Sequence, residues 1–194
     1  MSLLPRGGYW IQTSNNDPFD FDNHKEYDFR IEPIAHSLSQ INRFVGHCRE
    51  PYCVAQHSVL IASYLASHGY SKSVVLYGLM HDASEAFTGD MSGPLKAWLR
   101  LRSEAYRQLE HSIEAGIAKA FNLNVSAKEV VKGIDMRIAL TERNVLLPPS
   151  QHAWQNEFDY ELKPLEILIH PVPWFVAKQE FLDFYNALTK EVTQ

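Results

Sequence analysis

The chain has 194 residues, 45% of them hydrophobic and 21% charged, and carries a net charge of −5 with its nine His neutral. That length suits one full core and is short for two domains. The acidic balance excludes a broad basic surface for a nucleic-acid polymer, and no apolar run approaches the roughly 18–20 residues that span a bilayer.

The opening stretch, MSLLPRGGYWIQTSNNDPFDF, lacks the charged start, apolar centre and small-residue cleavage site of a signal peptide. Cys48 and Cys53 are the only cysteines, too few for a disulfide framework or a thiolate zinc site. Reduced thiols and a cytoplasmic location are the expectation. YWIQT and YDFRI are candidate short strands for a small N-terminal β-hairpin.

From Pro33 onward the pattern is helical, with a first helix expected over about 33–43. CVAQHSVLIASYLASHG places His57, Leu60, Ile61, Tyr64 and Leu65 at i, i+3, i+4, i+7 and i+8, and Gly69 suits the C-terminal cap. Ser71 or Ser73 begins one helix across KSVVLYGLMHDASEAF, which TGDMSGP ends. A long helix is expected over about 95–121 and another over about 127–147, capped by Ser126 and stopped by Pro148 and Pro149. A proline-rich connection follows, then a last helix over about 174–190. The fold class is mainly α, in a single domain over 1–194 with its core at about 30–147.

LYGLMHDASEAFTGDMSGPLK holds the chemistry. On a helix, residues three and four apart share a face, so Gly78, His81, Asp82 and Glu85 lie together beside the apolar stripe. Carboxylates near a core cost several kcal/mol unless paired or bound to a cation. Neighbouring side chains diverge by about 100°, so His81 and Asp82 share an ion only if it sits close to the backbone, an approach that Gly78 leaves open. His57 lies on the buried stripe of its own helix, and Asp135 beside Val131, Ile138 and Ala139 on another. Two imidazoles and two carboxylates suit Mn, Co, Fe, Ni or Zn. The same residues also read as hydrogen-bonded core histidines and an Asp135 paired with Arg137 or Arg143.

A first His (His57), a His-Asp pair (His81, Asp82) and a distant Asp (Asp135), in that order on helices, resemble the HD-domain phosphohydrolases. HDASEAFTGDMSGPLK and INRFVGHCREPYCVAQHS resemble segments of the small 5′-deoxynucleotidase branch, over roughly 30–145. The resemblance implies one divalent metal held by His57, His81, Asp82 and Asp135. It implies that Glu85 and Asp90 handle the attacking water and the leaving group, that Arg43 grips phosphate, and that Phe44 lies near sugar and base where the family usually has Trp. Lys96 is expected to stabilise phosphate or its own loop.

Only His111 falls between the central pair and the last Asp, which favours one metal. His36 and His47 flank Arg43, with structural or solvent-facing roles favoured for both, and Trp10 is a candidate lid. The expected substrate is a nucleoside 5′-phosphate, foremost a deoxynucleoside monophosphate. The alternatives are a dNTP triphosphohydrolase and a non-catalytic nucleotide-sensing module. A triphosphate needs two or more basic groups beyond Arg43, with Lys96, Arg49 and Lys25 as candidates. A homodimer or larger homo-oligomer is implied by the resemblance.

Overall fold

The computed structural model of the chain describes residues 8–152, 154 and 162–190. Its order is β1 (Trp10–Gln12), β2 (Pro18–Asp20), α1 (Ile31–Gln40), α2 (Val54–Ser67), α3 (Lys72–Met80), α4 (Glu85–Thr88), α5 (Gly93–Arg100), α6 (Ala105–Ala120), α7 (Lys128–Leu146) and α8 (Trp174–Thr189). The class is mainly helical, as expected. Among the described residues no helix is long and apolar enough to cross a membrane.

The hairpin exists, but with a different second strand. β1 pairs antiparallel with β2, Ile11 opposite Phe19, and YDFRI instead leads into α1. Phe19 is fully buried and stacks on Phe87 of α4 at 4.2 Å between ring centroids, with Tyr27 and Phe29 edge-on to Phe87 at 5.7 and 5.5 Å. Such pairs add about 0.5–1.5 kcal/mol each beyond the area they bury. The hairpin and the segment after it are thereby fixed against the helix that carries Glu85.

Helix α1 starts before Pro33, which lies in the first turn where an amide has no intrahelical partner anyway. It ends at Gln40 because Ile41 turns extended and the chain pairs with itself. Arg43 N donates to the Tyr52 carbonyl (2.8 Å), Val54 N to the Ile41 carbonyl (3.0 Å), and Asn42 bridges Cys53. Within this loop Phe44, Val45 and Gly46 have φ of 53°, 55° and 77°. Val45 is β-branched, and that region costs such residues of order 1–3 kcal/mol.

Helix α2 is central, with Ile61, Ala62 and Leu65 fully buried, and α3 lies along it. A Cβ on Gly78 of α3 would stand 2.4 Å from Leu65 Cδ1 and 3.2 Å from Ile61 Cγ2. Gly78 therefore serves the close approach of α3 to α2, and not the approach of an ion.

The single helix expected over 72–87 is broken. Between α3 and α4 the backbone changes to tighter bonds three residues apart: Ala83 N to Met80 O, Glu85 N to Asp82 O and Phe87 N to Ser84 O, each 3.0 Å. His81 Nδ1 donates to the Gly78 carbonyl at 2.8 Å, occupying an acceptor that a continuous helix offers to a backbone amide. The long helix expected over 95–121 is likewise two, α5 and α6, separated at Leu101–Glu104. Ahead of α7 the capping acceptor is Asn124, whose Oδ1 takes the Ser126 amide at 3.3 Å, so Ser126 is not the cap. Residues 162–173 run extended across α7 and α2. There Thr141 Oγ1 donates to Leu165 O and accepts from Leu165 N (2.9 and 2.8 Å), and Gln56 Nε2 donates to His170 O at 2.6 Å. The rest of the expected proline-rich connection lies partly outside the described residues.

Candidate metal centre

Three helices bring the ligand candidates to one point. His57 enters from the first turn of α2, His81 and Asp82 from the tightened turn after α3, and Asp135 from α7. One ligand atom each from His57, His81 and Asp135 lie within 4.8 Å of one another. His57 Nε2 is 3.0 Å from Asp135 Oδ1, and Asp82 Oδ2 is 3.1 Å from His81 Nε2 and 3.8 Å from His57 Nε2. Asp82 stands at the rim of this triad, its Oδ2 also 3.7 Å from Arg43 Nη1.

The two imidazoles are oriented alike. His81 Nδ1 donates to a carbonyl, and His57 Nδ1 donates to Glu142 Oε1 at 2.7 Å. Both Nε2 atoms are buried with no hydrogen bond of proper geometry, despite the short separations from carboxylates. Two unpartnered ring nitrogens beside two carboxylates are a donor set that, once the nitrogens are deprotonated, fits a divalent transition-metal cation. Arg137 and Arg143, the other candidate partners of Asp135, donate to the Lys163 and His152 carbonyls.

The charges respond to this crowding. Burial and the Arg43 charge oppose a proton on His57, yet Glu142 and Asp135 outweigh them and raise its pKa to about 9. Burial likewise opposes the His81 charge, and Asp82 overcomes it. Despite burial, His81, His57 and Arg43 pull Asp82 below the ordinary carboxylate range, and the two histidines do the same to Asp135. Glu85 goes the other way: burial, Asp82 and Asp90 push it up to about 9. Burial, more than any neighbour, also raises Asp90. Glu85 Oε2 is buried and has no hydrogen-bond partner.

The remaining sequence candidates divide. Asp90 follows α4 after Gly89, whose φ of 79° turns the chain. Lys96 Nζ bonds Glu110 Oε1 at 2.7 Å and stands 3.6 Å from Glu85 Oε1, tying α5 to α6 beside the acid. Phe44 sits under the Arg43 guanidinium, 5.4 Å from its ring centroid, and packs on the small cluster of Tyr52, Leu146 and Ile169. His36 binds Gln40 and meets Trp174 edge-on, His68 stacks on Tyr64, and His47 is exposed. Trp10 is 44% exposed on the hairpin and does not line the cleft beside the metal ligands.

That cleft, about 420 Å³, lies between α3, α6 and α7 and is lined by Tyr77, His81, Asp82, His111, Lys128 and Asp135 among others. The residue that sequence reasoning missed is Glu142. It is fully buried, accepts from His57 Nδ1, from the Tyr52 hydroxyl (2.8 Å) and from Arg43 Nε (3.1 Å), and pairs with Arg43 Nη2 at 3.0 Å. Its signal was present: it lies seven residues after Asp135 on α7, hence on the same face.

A model of the YfbR-like 5′-deoxynucleotidase family matches residues 37–131, a span that holds Arg43, the first three ligand candidates, Glu85, Asp90 and Lys96. The chain is 35% identical over 137 residues to the uncharacterized protein YfdR of Escherichia coli, covering 71% of this chain and 72% of that one. It is 30% identical over 118 residues to an uncharacterized protein of Rhodobacter capsulatus, covering 59% of each. The chain belongs to the YfbR-like 5′-deoxynucleotidase family.

Proposed function

We propose that this protein is a cation-dependent phosphohydrolase that splits the 5′-phosphate ester of deoxynucleoside monophosphates into deoxynucleoside and phosphate. The observation that carries the reading is the pair of buried, unpartnered Nε2 atoms of His57 and His81 facing Asp135 and Asp82. These four side chains would hold one divalent ion such as Mn, Co, Fe, Ni or Zn. When bound, such an ion supplies Lewis acidity toward a phosphoryl oxygen and a lower pKa for water.

The chain's own groups supply the rest. Glu85, whose Oε2 is buried without a hydrogen-bond partner, orients the attacking water and, ionised once a bound cation offsets the burial and the Asp82 and Asp90 charges that raise its pKa, takes its proton. Lys96 and the fixed turn 81–84 hold that carboxyl in place. Asp90, protonated more readily than an ordinary carboxyl, returns a proton to the leaving 5′ oxygen. Arg43, whose Nη1 stands 3.7 Å from Asp82 Oδ2, grips the phosphate. The cleft beside His81 and Asp135 receives the nucleoside.

A triphosphate reading requires further unneutralised cations. Lys96 is engaged by Glu110, and Lys128 by Glu114 at 3.2 Å, which favours the monophosphate. The deciding assay incubates protein loaded with Mn, Co or Zn with each dNMP and dNTP and separates phosphate, pyrophosphate and triphosphate. Phosphate from dNMPs is expected; triphosphate from dNTPs transfers the assignment to the triphosphohydrolase, and no product from any of them points to a sensing module. Glu85→Gln should keep the cation and lose about 10²–10⁴-fold in kcat; undiminished turnover removes Glu85 from the mechanism.

A further inference from the structure

We infer that Glu142 is a positioning residue that binds the cation site and the phosphate-gripping arginine into one unit. The inference rests on the reading of His57 as a cation ligand and of Arg43 as the phosphate group's partner.

Glu142 lies on α7 with no solvent exposure. Its Oε1 accepts from His57 Nδ1 (2.7 Å) and the Tyr52 hydroxyl (2.8 Å), its Oε2 accepts from Arg43 Nε (3.1 Å), and Arg43 Nη2 stands 3.0 Å from Oε2 as an ion-pair contact. One carboxylate holds three hydrogen bonds and an ion pair. A buried ion pair kept for stability alone is a weak device, because an apolar replacement often serves as well. Here each bond also fixes an orientation.

With His57 Nδ1–H committed to Oε1, the nitrogen that gives up its proton when a cation binds is Nε2, which then presents its lone pair to the site. Two nitrogens of the Arg43 fork are committed to Oε2, so Nη1 is the one left facing Asp82, 3.7 Å away. One carboxylate thus sets the tautomer of a cation ligand and the aim of the guanidinium. Glutamine in its place has nearly the same shape but one donor group, which must oppose either the imidazole N–H or the guanidinium N–H.

The test measures zinc affinity by chelator competition without nucleotide, and KM for the preferred dNMP. Glu142→Gln should weaken zinc by about 10–100-fold and raise KM as well. Arg43→Lys should raise KM with zinc affinity unchanged. Tyr52→Phe removes a bond to the same carboxylate that touches neither function, and should move both little. Zinc affinity in Glu142→Gln equal to the wild type overturns the inference, as does an equal loss in Tyr52→Phe, which would mark general damage. If Glu142→Gln does not fold, ¹⁵N NMR of the zinc-loaded wild type decides. A proton on His57 Nδ1 with zinc on Nε2 is expected, and the reverse arrangement refutes the role. Loss of zinc affinity in a protein that hydrolyses no nucleotide would leave Glu142 in place and remove the hydrolase reading instead.

Discussion

At the scale of single residues, the site crowds acids and imidazoles whose hold on protons changes on folding. Glu85 and His57 hold protons more tightly folded than unfolded. What they add to stability is complete below their ordinary values of 4.5 and 6.5, and is lost as the pH rises toward about 9. Asp82, Asp135 and Glu142 hold protons more loosely folded. What they add is complete above their ordinary values of 3.8, 3.8 and 4.5, and is lost as the pH falls through their depressed ones. The metal-free protein should therefore be most stable at mildly acidic pH, and urea melts across pH 3–9 would show it. A maximum near pH 8 without metal would contradict the charge arrangement. The ligand candidates themselves were legible because His and Asp on apolar stripes need an explanation. Glu142 carried only the weaker signal of sharing the Asp135 face of its helix, and a lone glutamate there reads as a surface residue until Tyr52, Arg43 and His57 are seen to converge on it.

At the scale of elements, the helices followed from periodicity, and their interruptions did not. The change of hydrogen bonding at 81–84 depends on a side chain taking a backbone acceptor, which no hydrophobic pattern records. With bonds three residues apart the turn advances about 120° per residue instead of about 100°, so Asp82 and Glu85 stand one above the other. Nor could the pattern show that β1 pairs with PFD, because the choice is made by Phe19 docking on Phe87. The role of Gly78 can be tested directly. Gly78→Ala gains up to about 1 kcal/mol of helix propensity, but its methyl must displace fully buried Leu65, and such overpacking costs about 1–3 kcal/mol. A net loss of between about 0 and 3 kcal/mol in chemical denaturation is expected; a stabilised variant would show that α2 and α3 have room to part.

At the scale of the whole molecule, the mainly helical class was readable from the hydrophobic pattern, and the convergence of α2, the turn after α3 and α7 was readable only through resemblance. Ligand that binds the folded state alone adds about 2.7 kcal/mol at 100 times its Kd, which for a chain of this length shifts Tm by about 5–10 °C. Manganese, cobalt or zinc should produce such a shift in the wild type, and Asp135→Ala should abolish it. An undiminished shift in that variant would place the cation elsewhere.

The contacts of Glu142 reach 85 residues back along the chain to His57 and 99 residues back to Arg43. Closing loops of that size costs entropy that nothing local repays, so these groups meet only after the main topology is in place. A chain still emerging, or one halted before α7, has the His-Asp pair but no cage around it. Under the proposed function, ion capture would therefore wait for completed assembly of the fold.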